Sequence, residues 1–451
     1  MFSADNIPSG ARRTLFFAAA LAAAATISIP AATTRAQSWK PSDESYEVEE
    51  DEGVVANTAQ RDAPAVQATF LHQSYSPGAK AKLVLWQAEA HVTIQVFHAG
   101  PEHARTVGNI TMQGVPMSRP VRLGARDAHT PITVPVGKWP TGLYFARLST
   151  RDGRVGFAPF IVRPRRIGEH RVAVVLPTYT WQAYNWRDDN HDGRGDTWYD
   201  GWKQDWAPLV RPFMYRGVPL RFRGYDLPFL HWLSWTGKQV DYLSDEDLAG
   251  VSGSAQLARA YDLIIFPGHH EYVVKHEYDL IEGYRDRGGH LAFLSADDFD
   301  WQITIQDGRM IRTARFRDLG RPQASLIGVQ YIGTDGGLHH GPWILRHVET
   351  APWLFAGTGL RQGSALGSGG IELDHTASSS PHGIHVLAEI PNLFGRGFTG
   401  QMTYYETRQG AKVLAAGAFT LAGSALQPAV RKLLENLWTE LAAPDGRVSD
   451  A

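Results

Sequence analysis

Between Phe70 and Val162 the apolar positions recur every second residue. Leu83 and Leu85, then Val92, Ile94 and Val96, stand between the turn-forming runs SPG and AGPEH. A period of two puts alternate side chains on one face of a strand. Further on, WPTGLYFARLST and RVGFAPFIV flank RDG as a hairpin. Short strands, frequent turns and no helical period predict a small β-sandwich of immunoglobulin type over residues 66–164.

After RPRRIGEH the pattern changes. RVAVVLP, QVDYLS, YDLIIFPG and HLAFLS are compact apolar or β-branched runs, and helical stretches such as VVKHEYDLIEGYRDRGG alternate with them. Gly288 and Gly289 close that helix as a cap. Strands that are apolar on both faces, alternating with helices, predict an open, mainly parallel α/β sheet over residues 165–451. This is the fold class of the class I glutamine amidotransferases and the flavodoxins. Ligands of such sheets bind beyond the carboxyl ends of the strands. Those ends carry PTYTWQAYN, PGHHEY and SADDFDW, which are loaded with Tyr, His, Glu and Asp.

The 451 residues allow two domains with real cores, and the balance of 44 basic against 46 acidic side chains argues against a nucleic-acid partner. There is no cysteine, so thiolate metal sites, disulfides and cysteine nucleophiles are excluded. Any metal must be held by oxygen or imidazole. Residues 1–36 read as an export signal: Arg12 and Arg13 precede an apolar run from Leu15 to Ile29. That run is too short for a span, which needs roughly 20 residues. The arginine pair suggests twin-arginine export, with ordinary secretion as the rival, and a periplasmic or secreted location follows from either. Residues 37–65, with DESYEVEEDE, read as an acidic linker.

Several catalytic signatures are absent: no G-x-S-x-G elbow, P-loop or G-x-G-x-x-G follows a strand. His270 and His276 stand six apart, so they lack the spacing of a zinc-protease helix. In DDNHDGRGD, Asp188, Asn190 and Asp192 alternate ahead of Gly193, with Asp196 following, as oxygen ligands of a calcium loop do. Tyr199 occupies the twelfth position, where an EF-hand carries glutamate. A calcium loop and a solvated Asx-rich turn therefore both remain open.

In order along the chain, VVLPTYTWQAYN, DLPFLHWLSWTGKQVDYLSDEDL, PGHHEYVV, SADDFDWQ and MTYYETRQGAKVLAAGA resemble successive motifs of one family. It is the catalytic domain of the N,N-dimethylformamidase large (beta) subunit. The resemblance runs from about Arg171 to the C-terminus. It implies a mononuclear iron held by Tyr184, Tyr199 and Glu271, with Tyr179 as a rival for Tyr199. Phenols ionise near pH 10, so they serve as ligands at neutral pH beside a polarising ion such as Fe³⁺. The resemblance further implies His269, Asp297 and Glu406 as catalytic residues around the metal, with His269 and Glu406 moving protons. The family has asparagine where Asp297 stands, and ionised aspartate accepts a hydrogen bond where asparagine donates one.

The expected activity is hydrolysis of small amides or related C–N bonds by an exported iron protein, with no membrane span and with homo-oligomerisation open. The competing expectation is a non-catalytic envelope or extracellular protein that binds carbohydrate through exposed tryptophans. A glutamine-amidotransferase-like activity fails for want of the cysteine nucleophile.

Overall fold

A computed structural model describes residues 65–200 and 204–442. The expected export signal at 1–36 lies outside the described residues, as does all but the last residue of the linker at 37–65.

Residues 66–162 form two facing sheets. One has three antiparallel strands, Ala68–Phe70, Lys80–Leu85 and Ile132–Pro135. The other is built on Val92–His98, Gly142–Ser149 and Val155–Val162. Phe70, Leu83, Leu85, Ile132 and Val134 from the first meet Val92, Ile94, Val96, Tyr144 and Phe160 from the second in one buried cluster. The two-residue period seen in the sequence is the inward face of these strands.

The second region is organised by a large sheet of eleven strands. Asp241–Ser244, Val172–Leu176, Leu263–Phe266, His290–Phe293 and Lys412–Ala415 lie side by side and parallel. Their odd and even positions are both buried. Val172, Val174, Leu176, Leu263 and Ile265 pack towards helices Leu227–Trp235 and Pro428–Leu441. Ala173, Val175, Ile264 and Phe266 pack towards Ser254–Ala260 and Lys275–Arg285 on the other side. Coverage of both faces is what makes these strands continuously apolar.

Beyond Lys412–Ala415 the direction reverses. Gly400–Glu406, His385–Ile390, His340–Leu345, Ala365–His375 and Gln330–Thr334 continue the sheet in antiparallel pairs, with Ala418–Phe419 on Ala365–His375. Four parallel ladders therefore stand against six antiparallel ones. This overturns the expected open, mainly parallel sheet of glutamine amidotransferase or flavodoxin type: the sheet is mixed and strand-rich. The cause lies in residues 330–419, whose strands are interrupted by glycines and bulges, as in ALGSGGIELDH. Interruptions of that kind hide the two-residue period.

The strand ends are packed tightly where they converge. A Cβ on Gly268 would lie 2.8 Å from Pro177 Cγ and 3.0 Å from Asp226 Oδ1, so glycine is needed there for space, at an ordinary φ. Asp226 is buried, and burial, partly offset by a hydrogen bond from Trp181, pushes its carboxyl up to about 8. Between its ordinary range and pH 8 the folded chain keeps a proton that the unfolded chain has released, so stability falls as pH rises through that window. Asp226→Asn should flatten the urea-unfolding free energy between pH 5 and 8, by up to ~1.4 kcal/mol per pH unit. Parallel pH curves for parent and variant would contradict this assignment.

Candidate active site

Three of the parallel strands deliver the site. After Val172–Leu176 the chain enters helix Thr178–Ala183, which ends at Tyr184. The start of this six-residue helix is held by Asp245, which accepts from Tyr179 N at 2.7 Å and Thr178 Oγ1 at 2.9 Å. After Leu263–Phe266 come His269, His270 and Glu271, and then the short strand Tyr272–Val274. That strand leaves the large sheet to pair with Trp301–Gln306. After His290–Phe293 come Asp297, Asp298 and Asp300. Cross-links hold the loops together: His270 N donates to Asp298 Oδ1 at 2.7 Å, and Phe299 N to His270 O at 2.7 Å.

Glu271 is the centre. Tyr184 and Tyr199 each donate their hydroxyl to the same oxygen, Oε2, at 2.8 Å. The two rings stack with centroids 4.4 Å apart, and Tyr272 meets the Tyr199 hydroxyl. Tyr199, and not Tyr179, is thus the second phenol at Glu271. Burial, reinforced by the charge of Glu271, raises both phenols well above their usual range. Burial would likewise raise Glu271, but hydrogen bonding and charge from His269, with the two phenols, outweigh it and lower the carboxyl.

His269 Nδ1 lies 2.8 Å from Ala296 O, an acceptor that only an Nδ1–H can satisfy. Its Nε2 faces Glu271 Oε2 at 3.3 Å, Glu372 Oε2 at 3.4 Å and the Tyr184 hydroxyl at 3.4 Å. Burial opposes the imidazolium, but the charges of Glu372 and Glu271 prevail and push the ring up to about 10. Phe419 closes one side, 4.9 Å from the His269 ring, with Ala296, Ile371 and Tyr225 around it.

Asp297 is buried at φ 50°. Its N–H is shared by both oxygens of Asp374 at 3.1 Å, and its Oδ1 accepts from Gln323 Nε2 at 3.0 Å. Burial, followed by the charges of Asp300, Glu271 and Glu372, raises its carboxyl well above the usual range. A shift in that direction favours the protonated form, and a neutral carboxyl can donate as asparagine does.

Glu406 is not part of the site. It is exposed, takes the hydroxyl of Tyr404, and pairs across the ladder with Lys412, at the amino end of the strand whose carboxyl end lies near His269. Besides Glu271, the carboxyl group at His269 is that of Glu372, which the sequence reading missed. The ladder register slips between Gly370 and Leu373, and Ile371, a β-branched residue, sits at φ 60°. Thr334 Oγ1 holds the Ile371 carbonyl at 2.6 Å. A bulge of this kind re-aims the next side chain, and strained backbone gathers at functional sites. No local sequence signal announces it.

The acidic loop folds on itself. Asp188 Oδ2 accepts from Gly193 N at 2.9 Å, Asn190 Oδ1 from Asp192 N at 2.9 Å, and Asp192 Oδ1 from Arg194 N at 2.9 Å. Asp196, buried beneath, takes Asp189 N at 2.7 Å and Asn190 Nδ2 at 3.0 Å. The Asn190 and Asp192 contacts are Asx turns, and Asp188 and Asp196 accept from more distant donors of the same loop. Trp86 Nε1 from the sandwich ties Asp189 at 2.8 Å, and Thr197 Oγ1 ties the loop to Ala183 O at 2.5 Å. Buried Arg211 spans the carbonyls of Gln182, Asn185 and Arg187. Together they fix where Tyr199 points.

The groups that could hold a metal at this centre are the phenol oxygens of Tyr184 and Tyr199 and the carboxylate of Glu271, with His269 Nε2 beside them. Three oxygens already meet at Glu271, and the two protons between them occupy places that a cation would take. The donor set suits a hard, highly charged ion.

No curated protein matches the chain. Among solved structures, a Paenibacillus sp. cycloisomaltooligosaccharide glucanotransferase with bound cycloisomaltoheptaose aligns at 12% identity and TM-score 0.16, over 40% of this chain and 27% of its own. A superoxide reductase (neelaredoxin) from Ignicoccus hospitalis aligns at 11% identity and TM-score 0.14, over 23% of this chain and 80% of its own. Both likenesses are too slight to bear on the fold. Residues 125–430, well over half of the sequence, match the N,N-dimethylformamidase beta subunit-like C-terminal family, and the chain belongs to it.

Proposed function

We propose that this is an exported, metal-dependent hydrolase of small amides, with iron held by Tyr184, Tyr199 and Glu271. The observation that carries the proposal is the pair of phenol hydroxyls converging on one carboxylate oxygen at 2.8 Å each. Two phenolates and a carboxylate balance a trivalent ion, and family membership supports amide chemistry. The N-terminal arginine pair and apolar run support export. When bound, iron would supply Lewis-acid polarisation of the amide carbonyl.

The remaining work falls to the chain's own groups. Hydrolysis adds water across the C–N bond: the carbonyl carbon gains hydroxyl, and the departing nitrogen gains a proton. His269 would give its Nε2 proton to that nitrogen and regain one from the water. Glu372 faces the imidazole at 3.4 Å and would orient it. Protonated Asp297 can donate to the carbonyl oxygen as charge develops there. Phe419, Ile371 and Tyr225 offer an apolar wall for the substituents and exclude water.

The purified protein should carry iron at about one per chain and show a visible phenolate-to-iron band, both lost in Tyr184→Phe or Glu271→Gln. A folded, colourless protein without transition metal would sink the iron reading. The two glutamates separate cleanly in kinetics. Glu372→Gln should lower kcat on a small amide by about 10²-fold or more while the coloured band persists. Glu406→Gln, at the far edge of the sheet, should stay within about twofold of the parent. The reverse ranking would return the catalytic role to Glu406.

A further inference from the structure

Behind the site lies a second set of ionisable side chains that neither phenol touches. Asp245 is 1% exposed, and Glu277 and His270 are fully buried. One oxygen of Asp245 is occupied by the start of helix Thr178–Ala183. Its other oxygen, Oδ1, accepts no hydrogen bond; neither do Glu277 Oε1 and Oε2, and His270 Nε2 has no partner. His270 Nε2 lies 3.9 Å from Asp245 Oδ1, and the Glu277 carboxyl neighbours that of Asp245 with no N–H or O–H donor facing either free oxygen.

Two carboxyl groups in contact inside a dry interior cannot both be ionised, because each isolated buried charge is far more costly than a shared proton. Asp245 already accepts an N–H and a hydroxyl, which favour its charged form, whereas Glu277 accepts nothing. The proton therefore belongs on Glu277, and burial raises that carboxyl well above its usual range. Glu277 is then a donor to Asp245, and Asp245 an acceptor for the helix.

Each member sits next to something the site uses. Asp245 holds the helix that ends at Tyr184, His270 precedes Glu271, and Glu277 lies in the first turn of helix Lys275–Arg285, which follows Tyr272–Val274. We infer that Glu277 and Asp245 form a proton-sharing clamp that positions Tyr184 against Glu271, making both of them positioning residues for the metal ligands. The clamp rests on the iron reading above and adds to it the group that fixes ligand geometry from behind. A helix of six residues has little stability of its own, so the hold on its first turn sets where its last residue points. Partners of this kind orient metal ligands, and losing them commonly costs about 10- to 100-fold in metal affinity or activity.

Three full-length variants test it. Glu277→Gln keeps a donor of the same shape, whereas Glu277→Leu removes the donor and stays apolar and similar in size. Asp245→Asn keeps the shape but weakens the acceptor. Iron affinity is measured by competition with a chelator, and backbone amide exchange at Tyr179 and Tyr184 is measured in the metal-free protein. Glu277→Gln should stay within about twofold of the parent in affinity, while Glu277→Leu and Asp245→Asn should weaken it about tenfold or more. Exchange at both amides should speed up in the same two variants. Unchanged iron affinity in Glu277→Leu and Asp245→Asn overturns the clamp, even if exchange quickens, because the pair would then support only the fold. Loss of affinity in Glu277→Gln equal to that in Glu277→Leu overturns the shared proton. A parent protein that takes no iron overturns the metal reading itself, and the positioning claim falls with it. These outcomes are read on different samples, so the two failures are distinct.

Discussion

Everything at the carboxyl edge of the sheet is arranged around one buried negative charge. Glu271 is held ionised in a dry interior by two phenol hydroxyls and an imidazolium, and none of these is its neighbour in sequence except His269. An isolated carboxylate there would be too costly to keep, so the donors must arrive with it. That requirement explains the packing of the strand ends, the glycine at 268 where backbone meets Pro177, and the buried arginine that closes the loop carrying Tyr199.

The sandwich contributes to the same end. Its outer residues Leu143, Phe145, Phe157 and Ile161 share a core with helix Leu227–Trp235 and the first strands of the large sheet. Trp86 and Gln67 reach across to the acidic loop through Asp189 and Arg187. A loop rich in Asp and Gly has little reason to hold one shape alone. Braced on one side by the sandwich and on the other by Arg211 and Ala183, it delivers a phenol to within hydrogen-bond distance of Glu271.

What the sequence made legible follows from where the information sits. Tyr184, His269 and Glu271 lie a few residues beyond apolar strands, so a rule about strand ends finds them without any knowledge of tertiary structure. Tyr199 needed the family resemblance as well, because a long charged loop separates it from its strand. Glu372 was out of reach: it lies inside a strand, in GGIELDH, and faces His269 only because the ladder slips at Ile371. Glu406 shows the converse. A glutamate at the end of a strand looks useful, but only pairing with Lys412 reveals at which edge of the sheet it stands. The same blindness to pairing direction turned a mixed sheet into an expected parallel one.

The strand Lys412–Ala415 is the seam of that mixed sheet, parallel to His290–Phe293 on one side and antiparallel to Gly400–Glu406 on the other. Tyr184, Tyr199, His269 and Glu271 belong to the parallel side, and Glu372 to the antiparallel side. The last strand of the parallel set comes from late in the chain, after all of the antiparallel side except Ala418–Phe419 has been made. A nascent chain therefore meets a topological delay of the sort that slows folding when contacts are distant in sequence. Until the seam closes, the ligand-bearing loops lack both their neighbouring strand and the carboxylate that steadies His269. Completion of one short strand thus separates a chain that merely contains these residues from one in which they act together.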